Sequence, residues 1–329
     1  MTNPLETKLA RDAGIEVPIL CGAMYPCSNP ELIAAVSEAG AMGIVQPLSL
    51  IHVHGHDLRE GLRLIRGMTT RPIGFNAIVE KSVKAYEQRM RAWVAIALEE
   101  GVRFFVTALG NPDWVVEAVH EAGGLVYHDV TERRWAEKAL ASGVDGLICV
   151  NGRAGGHAGT QTPEDLYADL CELGVPLVRA GGVGSPADFK QALATGYAGV
   201  QMGTRFIATP ECKVHETYRA AIVKAREEDI ILTERLSGVP VSVIKTPLIE
   251  RLGADVGPLA RRLLRGRKTR HWMRTFYALR SLRRLKRSSL KGLSYGDVFQ
   301  AGRSVEGIDA VLPAGEIVRS FAAAASAED

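Results

Sequence analysis

The stretch Gly155-Gly156-His157-Ala158-Gly159 places one imidazole among glycines, directly after the apolar run Gly-Leu-Ile-Cys-Val at 146–150. Histidine moves a proton near neutral pH more readily than other side chains, and glycines let a backbone take positive φ and approach a flat ligand closely. The segment reads either as a catalytic device or as a tight loop carrying a solvated histidine. The elements that position it decide between the two.

Short β-rich apolar runs recur at 17–21, 42–46, 72–77, 103–108, 125–130, 146–150, 176–183 and 199–204, with segments of helical apolar spacing between them, such as 31–39 and 135–141. The runs are uniformly apolar, as expected of parallel strands covered on both faces. Eight such units in about 210 residues predict a (β/α)₈ TIM barrel. A doubly wound open sheet is the competing fold, but it accounts neither for eight strands nor for the lack of a G-x-G-x-x-G turn after the first.

Barrel enzymes place their chemistry at the carboxyl ends of the strands. The residues there are Gly22-Ala23-Met24-Tyr25, Gln46, Asn76, His128-Asp129, the glycine and histidine loop, Ala180-Gly181-Gly182, and Gly203-Thr204-Arg205. Loops after strands seven and eight commonly hold a phosphate on backbone N–H groups. Glycine pairs there either close the rim or cradle such a group, and two of them favour a phosphorylated cofactor across the mouth, with His157 near its reactive end.

Composition narrows the remaining classes. The chain has 329 residues, 47% hydrophobic content and a net charge of +3. No apolar run approaches the roughly 18 residues of a membrane span, and residues 1–11 lack the pattern of a signal peptide, so a cytoplasmic location is expected. Cys21, Cys27, Cys149, Cys171 and Cys212 show no CxxC spacing and read as reduced thiols. Charge is uneven: residues 261–291 hold thirteen Lys and Arg and no acidic residue. Helical spacing there groups Arg270, Arg274, Arg280, Arg284 and Arg287 on one side and Trp272, Leu279 and Leu282 on another, a basic amphipathic helix. It reads as a surface helix packed on the barrel in preference to a nucleic-acid site. Trp93, Trp114 and Trp135 fall in helix-like segments and read as core or rim.

Together, Pro18-Ile-Leu-Cys-Gly-Ala-Met24, the helix at 30–40, Gly74-Phe75-Asn76, Ala154-Gly155-Gly156-His157, Ala180-Gly181-Gly182 and Met202-Gly-Thr-Arg-Phe-Ile-Ala-Thr209 resemble the FMN-dependent nitronate monooxygenase family. The same pattern runs through related flavin barrels that reduce enoyl thioesters or quinones. The resemblance implies FMN as cofactor, with Gly22, Ala23 and Met24 along the ring, Asn76 hydrogen-bonding it, Gly155 and Gly156 beside it, and Ala180, Gly181, Gly182, Gly203 and Thr204 at the phosphate. It implies His157 as base or anion-stabilising group in the oxidation of alkyl nitronates by O2 to a carbonyl compound and nitrite. A small-molecule substrate and O2 are the expected partners. An NAD(P)H-dependent reductase acting on an enoyl thioester or quinone is the alternative, and a homodimer is compatible with either.

Two positions depart from the family. Asp129 stands where many members carry a lysine near the flavin pyrimidine, and an acid there should leave the flavin harder to reduce unless another cation compensates. Gln300, in Phe299-Gln300-Ala301-Gly302, stands where relatives often have serine. Tyr25, Phe299 and Gln300 are the expected substrate-pocket residues. A barrel metallohydrolase is the competing enzyme class, suggested by His52-Val53-His54-Gly55-His56, but strand eight ends without a carboxylate ligand and no metal is expected. The expected organisation is an FMN-binding barrel over 1–214 and a mostly helical extension over 215–329 that covers the mouth and returns a closing C-terminal helix at about 315–325.

Overall fold

The computed structural model describes residues 3–80, 84–234, 240–252, 286–287, 289–290 and 298–327. Eight parallel strands close a barrel: β1 Ile19–Cys21, β2 Met42–Val45, β3 Ile73–Val79, β4 Phe104–Leu109, β5 Leu125–Val130, β6 Gly146–Val150, β7 Leu177–Ala180 and β8 Gly199–Met202. Register pairs β8 back to β1 through Ile19 with Val200 and Cys21 with Met202, so no sheet edge is left open. The TIM-barrel architecture is as the sequence predicts.

Alternation along each strand splits the apolar residues between two layers. Leu20, Met42, Ile44, Phe104, Val106, Tyr127, Ile148 and Val178 fill the lumen, joined by Leu9 and Ala10 of the short helix Lys8–Ala13. That helix closes the amino end of the barrel, where Thr7 Oγ1 donates to Ala198 O at 2.6 Å. The complementary positions, including Phe75, Phe105, Val126, Leu147 and Val200, pack outward against the helices. The floor is thus sealed with hydrocarbon, and polar groups are left to the carboxyl-end mouth.

Helices Pro30–Glu38, Leu58–Met68, Lys84–Glu99, Asp113–Glu121, Arg133–Ala141, Pro163–Leu170 and Pro186–Thr195 follow β1 to β7 in turn. The helix Ala314–Ser326 packs between Pro186–Thr195 and Pro30–Glu38 and completes the ring, with the Phe189 and Phe321 rings 5.9 Å apart. Between β8 and that last helix come Thr204–Ile207, Glu216–Lys224, a two-stranded antiparallel hairpin of β9 Ile230–Thr233 and β10 Val241–Ile244, and Pro247–Leu252. The hairpin adds strand to a segment whose sequence reads as mostly helical.

β10 ties the roof to the barrel. Ser242 N donates to Gly156 O at 2.8 Å, and Ile244 N to Phe299 O at 2.9 Å. Arg153 makes a two-pronged ion pair with Glu227 at 2.9 and 2.7 Å. The basic segment 261–291, with its predicted amphipathic helix, lies almost entirely outside the described residues. Among the described residues no helix is long and apolar enough to cross a membrane.

Candidate active site

A cavity of about 980 Å3 fills the mouth between the strand ends and the roof, large for a cofactor or ligand site. It gathers loops from strands far apart in sequence. Gly22 to Tyr25 line it after β1, Asn76 from β3, Asp129 from β5, and Gly155, Gly156 and His157 after β6. Ala180 to Gly182 line it after β7, Gly203 and Thr204 after β8, and Gln300 from the roof. Phe299 does not line it. Its ring stacks on Tyr218, centroids 4.6 Å apart, in the layer behind the pocket, because alternation along an extended segment turns successive side chains to opposite faces and Gln300 takes the cavity side.

The β7 side is built from backbone. Gly181 and Gly182 have φ of +112° and +73°, the left-handed region that glycine alone occupies freely. An added Cβ at Gly181 would lie 2.5 Å from Ala154 N. Asn151 Nδ2 holds Gly181 O at 3.1 Å from one side, and the far end of the loop is fixed where Gly184 N and Ser185 N donate to Asp188 Oδ2 in the capping box of the next helix. Thr204 Oγ1 accepts from Gly302 N at 3.0 Å, which leaves its hydroxyl hydrogen free to donate.

The opposite side carries the titratable groups. His157 faces the cavity from the β6 loop, open to solvent on one side, and desolvation by the loops around it lowers its pKa from the ordinary histidine value, which favours the neutral ring. No hydrogen bond to a described residue engages either ring nitrogen. His128, whose Nδ1 lies 2.8 Å from Thr107 Oγ1, is driven by burial to about 4. Asp129 is pushed up to about 7 by the same cause, and its Oδ1 is buried without a partner among the described residues. On each of these groups desolvation is the acting influence, and it favours the uncharged form.

Sequence reading alone did not single out Gln201, Lys138, Trp135 and Ser304 as lining residues. Gln201 is legible in hindsight, as one amide in the apolar strand Gly-Val-Gln-Met. Its side chain passes 3.0 Å from where a Gly22 Cβ would stand, and its Oε1 is buried with no partner among the described residues. Lys138 lies on the helix after β5 with Nζ 5.8 Å from the Trp135 ring, and so brings a cation to the Asp129 side of the mouth. The histidines of 52–56 do not line the cavity.

These features fit a flavin. A flat ring with its own N–H donor answers the buried acceptors Asp129 Oδ1 and Gln201 Oε1, and glycine-borne amides suit the far end of such a cofactor. Comparison with known proteins agrees. The chain is 28% identical over 252 residues to the (3aS,4S,5R,7aS)-5-hydroxy-7a-methyl-1-oxo-octahydro-1H-indene-4-carboxyl-CoA dehydrogenase of Mycobacterium tuberculosis, covering 75% of this chain and 68% of that one. It is 28% identical over 274 residues to the nitronate monooxygenase of Pseudomonas aeruginosa, covering 70% and 77%. The structure of FabK from Thermotoga maritima superposes with a TM-score of 0.79 at 28% identity over 97% of this chain and 96% of that one. The family model for nitronate monooxygenase matches residues 6–323. Barrel, glycine-lined mouth and sequence match thus converge: the chain belongs to the nitronate monooxygenase family and is a flavin-dependent oxidoreductase.

Proposed function

We propose that the protein binds FMN and uses it to oxidise carbon acids of the nitroalkane and alkyl nitronate class with O2, giving a carbonyl compound and nitrite. The observation that carries this reading is His157, an imidazole with no hydrogen-bond partner among the described residues, standing at the mouth of a glycine-lined cavity, with its pKa lowered from the ordinary value. A neutral imidazole accepts a proton, so the lowered pKa favours the base role over a protonated anion holder. FMN, when bound, supplies the electron acceptor. The chain's own contribution is to anchor phosphate on the amides around Gly181, Gly182 and Gly203, to remove the substrate's α-proton at a ring nitrogen of His157, and to exclude bulk water with β10 and Gln300.

A second reading is supported by the relative named as a carboxyl-CoA dehydrogenase: an FMN enzyme that exchanges hydride between NAD(P)H and a thioester. One experiment separates them. The purified protein should show a flavin spectrum, release nitrite from a preformed nitronate in air, and be bleached slowly or not at all by NADH or NADPH without oxygen. Rapid anaerobic bleaching by a nicotinamide, with no nitrite release, would replace the first reading with the second.

A further inference from the structure

Beneath the glycine loop after β7 lies a cation that the chemistry at the mouth does not use. Arg179 is 3% exposed. It points outward from β7, since its neighbours Val178 and Ala180 belong to the lumen layer. Its Nε donates to Gly181 O at 3.3 Å and its Nη2 to Gly182 O at 3.4 Å. Its ion-pair partner among the described residues is Glu164, whose Oε1 is 3.9 Å from Nη1; that side chain is 52% exposed, and the buried Nη1 makes no hydrogen bond.

Asp188, in the capping box of the next helix, acts on it only through space; a buried guanidinium with no carboxylate in hydrogen-bond contact among the described residues is costly unless another negative charge is near. The loop geometry says where that charge belongs. A trans peptide points its N–H opposite its C=O. With the carbonyls of Gly181 and Gly182 drawn down to Arg179, the amides of Gly182 and Val183 turn the other way. Both residues line the cavity, and neither amide has an acceptor among the described residues.

We propose that Arg179 is the positioning residue of the phosphate site: it holds the Gly181 and Gly182 carbonyls below the loop, presents the Gly182 and Val183 amides to the cofactor phosphate, and adds a buried positive charge behind them. The proposal rests on the FMN reading. Carbonyl dipoles pinned to a cation cannot swing toward an incoming anion, and in a low-dielectric wall the charge reaches the phosphate without being screened away.

The test compares FMN with riboflavin, which has the same ring and no phosphate. Apoprotein prepared from the holoenzyme is titrated with each, for wild type, Arg179→Gln, Arg179→Lys and Glu164→Gln. Wild type should prefer FMN strongly. Arg179→Gln should weaken FMN about tenfold, the loss of one charge-assisted interaction, and leave riboflavin unchanged. Arg179→Lys should recover part of the loss, because it restores charge but not the fork that spans two carbonyls. Glu164→Gln, a surface change that removes the competing carboxylate, should tighten FMN about twofold with riboflavin unmoved. Equal weakening of both flavins by Arg179→Gln overturns the proposal, as does an unchanged FMN preference; if that variant does not fold, an unchanged preference in Glu164→Gln overturns it. A wild type that binds both flavins alike removes the FMN reading and the proposal with it.

Discussion

The two sides of the barrel mouth are built on opposite plans. After β7 and β8 the site is backbone, with the Gly181 and Gly182 carbonyls tied off by Asn151 and Arg179, and Thr204 holding the roof at Gly302. After β5 and β6 the site is side chain: Asp129 Oδ1 lacks a partner, and His157 stands without a fixed hydrogen bond among the described residues. Anchoring calls for a geometry determined from behind. Proton transfer calls for groups whose charge is set by desolvation and which no ion pair holds in one state. The difference yields a ranking of substitutions.

The largest effect should come from His157→Asn. A positioned base contributes typically about 10²- to 10⁴-fold, so turnover of nitroalkanes should fall by that order while the protein keeps its yellow colour and preformed nitronates lose far less. Since desolvation by the surrounding loops lowers the His157 pKa, the proton-abstraction limb of kcat/KM should stay flat through neutral pH and fall only below the ordinary histidine range. Equal losses on nitroalkane and nitronate, measured by nitrite release, would remove the base role.

The two plans were unequally legible in the sequence. β5 and β6 run over 125–130 and 146–150, as expected, because short β-rich runs bounded by glycine-containing turns leave little choice of bounds. β7 stops at Ala180, short of the expected 183, since two consecutive positive-φ glycines cannot continue a strand. The same glycines that end it announce the anchor, so the backbone side could be read directly. The side-chain side depends on neighbours many tens of residues away along the chain. Gly156 is bridged to Ser242 and Val243 to Gln300, and no local pattern tells which of Phe299 and Gln300 turns inward. The hairpin itself, two four-residue runs without a tight two-residue turn between them, falls below what periodicity detects.

Next in size is an alanine pair that sets one side against the other. Gly181→Ala must hold a φ of +112° with its Cβ 2.5 Å from Ala154 N. Left-handed backbone alone costs an L residue about 1–2 kcal/mol, and the clash adds to it. Flavin affinity should fall roughly thirtyfold or more, with the barrel retained by circular dichroism. Gly156→Ala has φ +69° and no atom within 4 Å of the new Cβ, so only the backbone penalty applies, a few-fold to roughly tenfold in flavin affinity. If Gly156→Ala lost flavin more readily than Gly181→Ala, the backbone anchor would be on the wrong side of the mouth.

The smallest effect, and the one that bears on Asp129, depends on pH. Its carboxyl, ordinarily ionised well below neutrality, is pushed up to about 7 by burial. A raised folded-state pKa means that the folded protein holds the proton more tightly than the unfolded chain does. Stability from this group is therefore full below the unfolded carboxyl range, near pH 4, and is lost as pH rises toward and through 7. Asp129→Asn, which stays neutral, should melt a few degrees above wild type at pH 8, and the gap should close by pH 4 to 5. The bound flavin should report the same ionisation. In wild type, a negative charge forming at the mouth disfavours the electron-rich reduced cofactor, so the flavin midpoint potential should fall more steeply with pH across 6 to 8 than in Asp129→Asn. Parallel pH dependences in the two proteins would show that Asp129 does not change its charge across this range, and that the acid at 129 does not set the flavin potential.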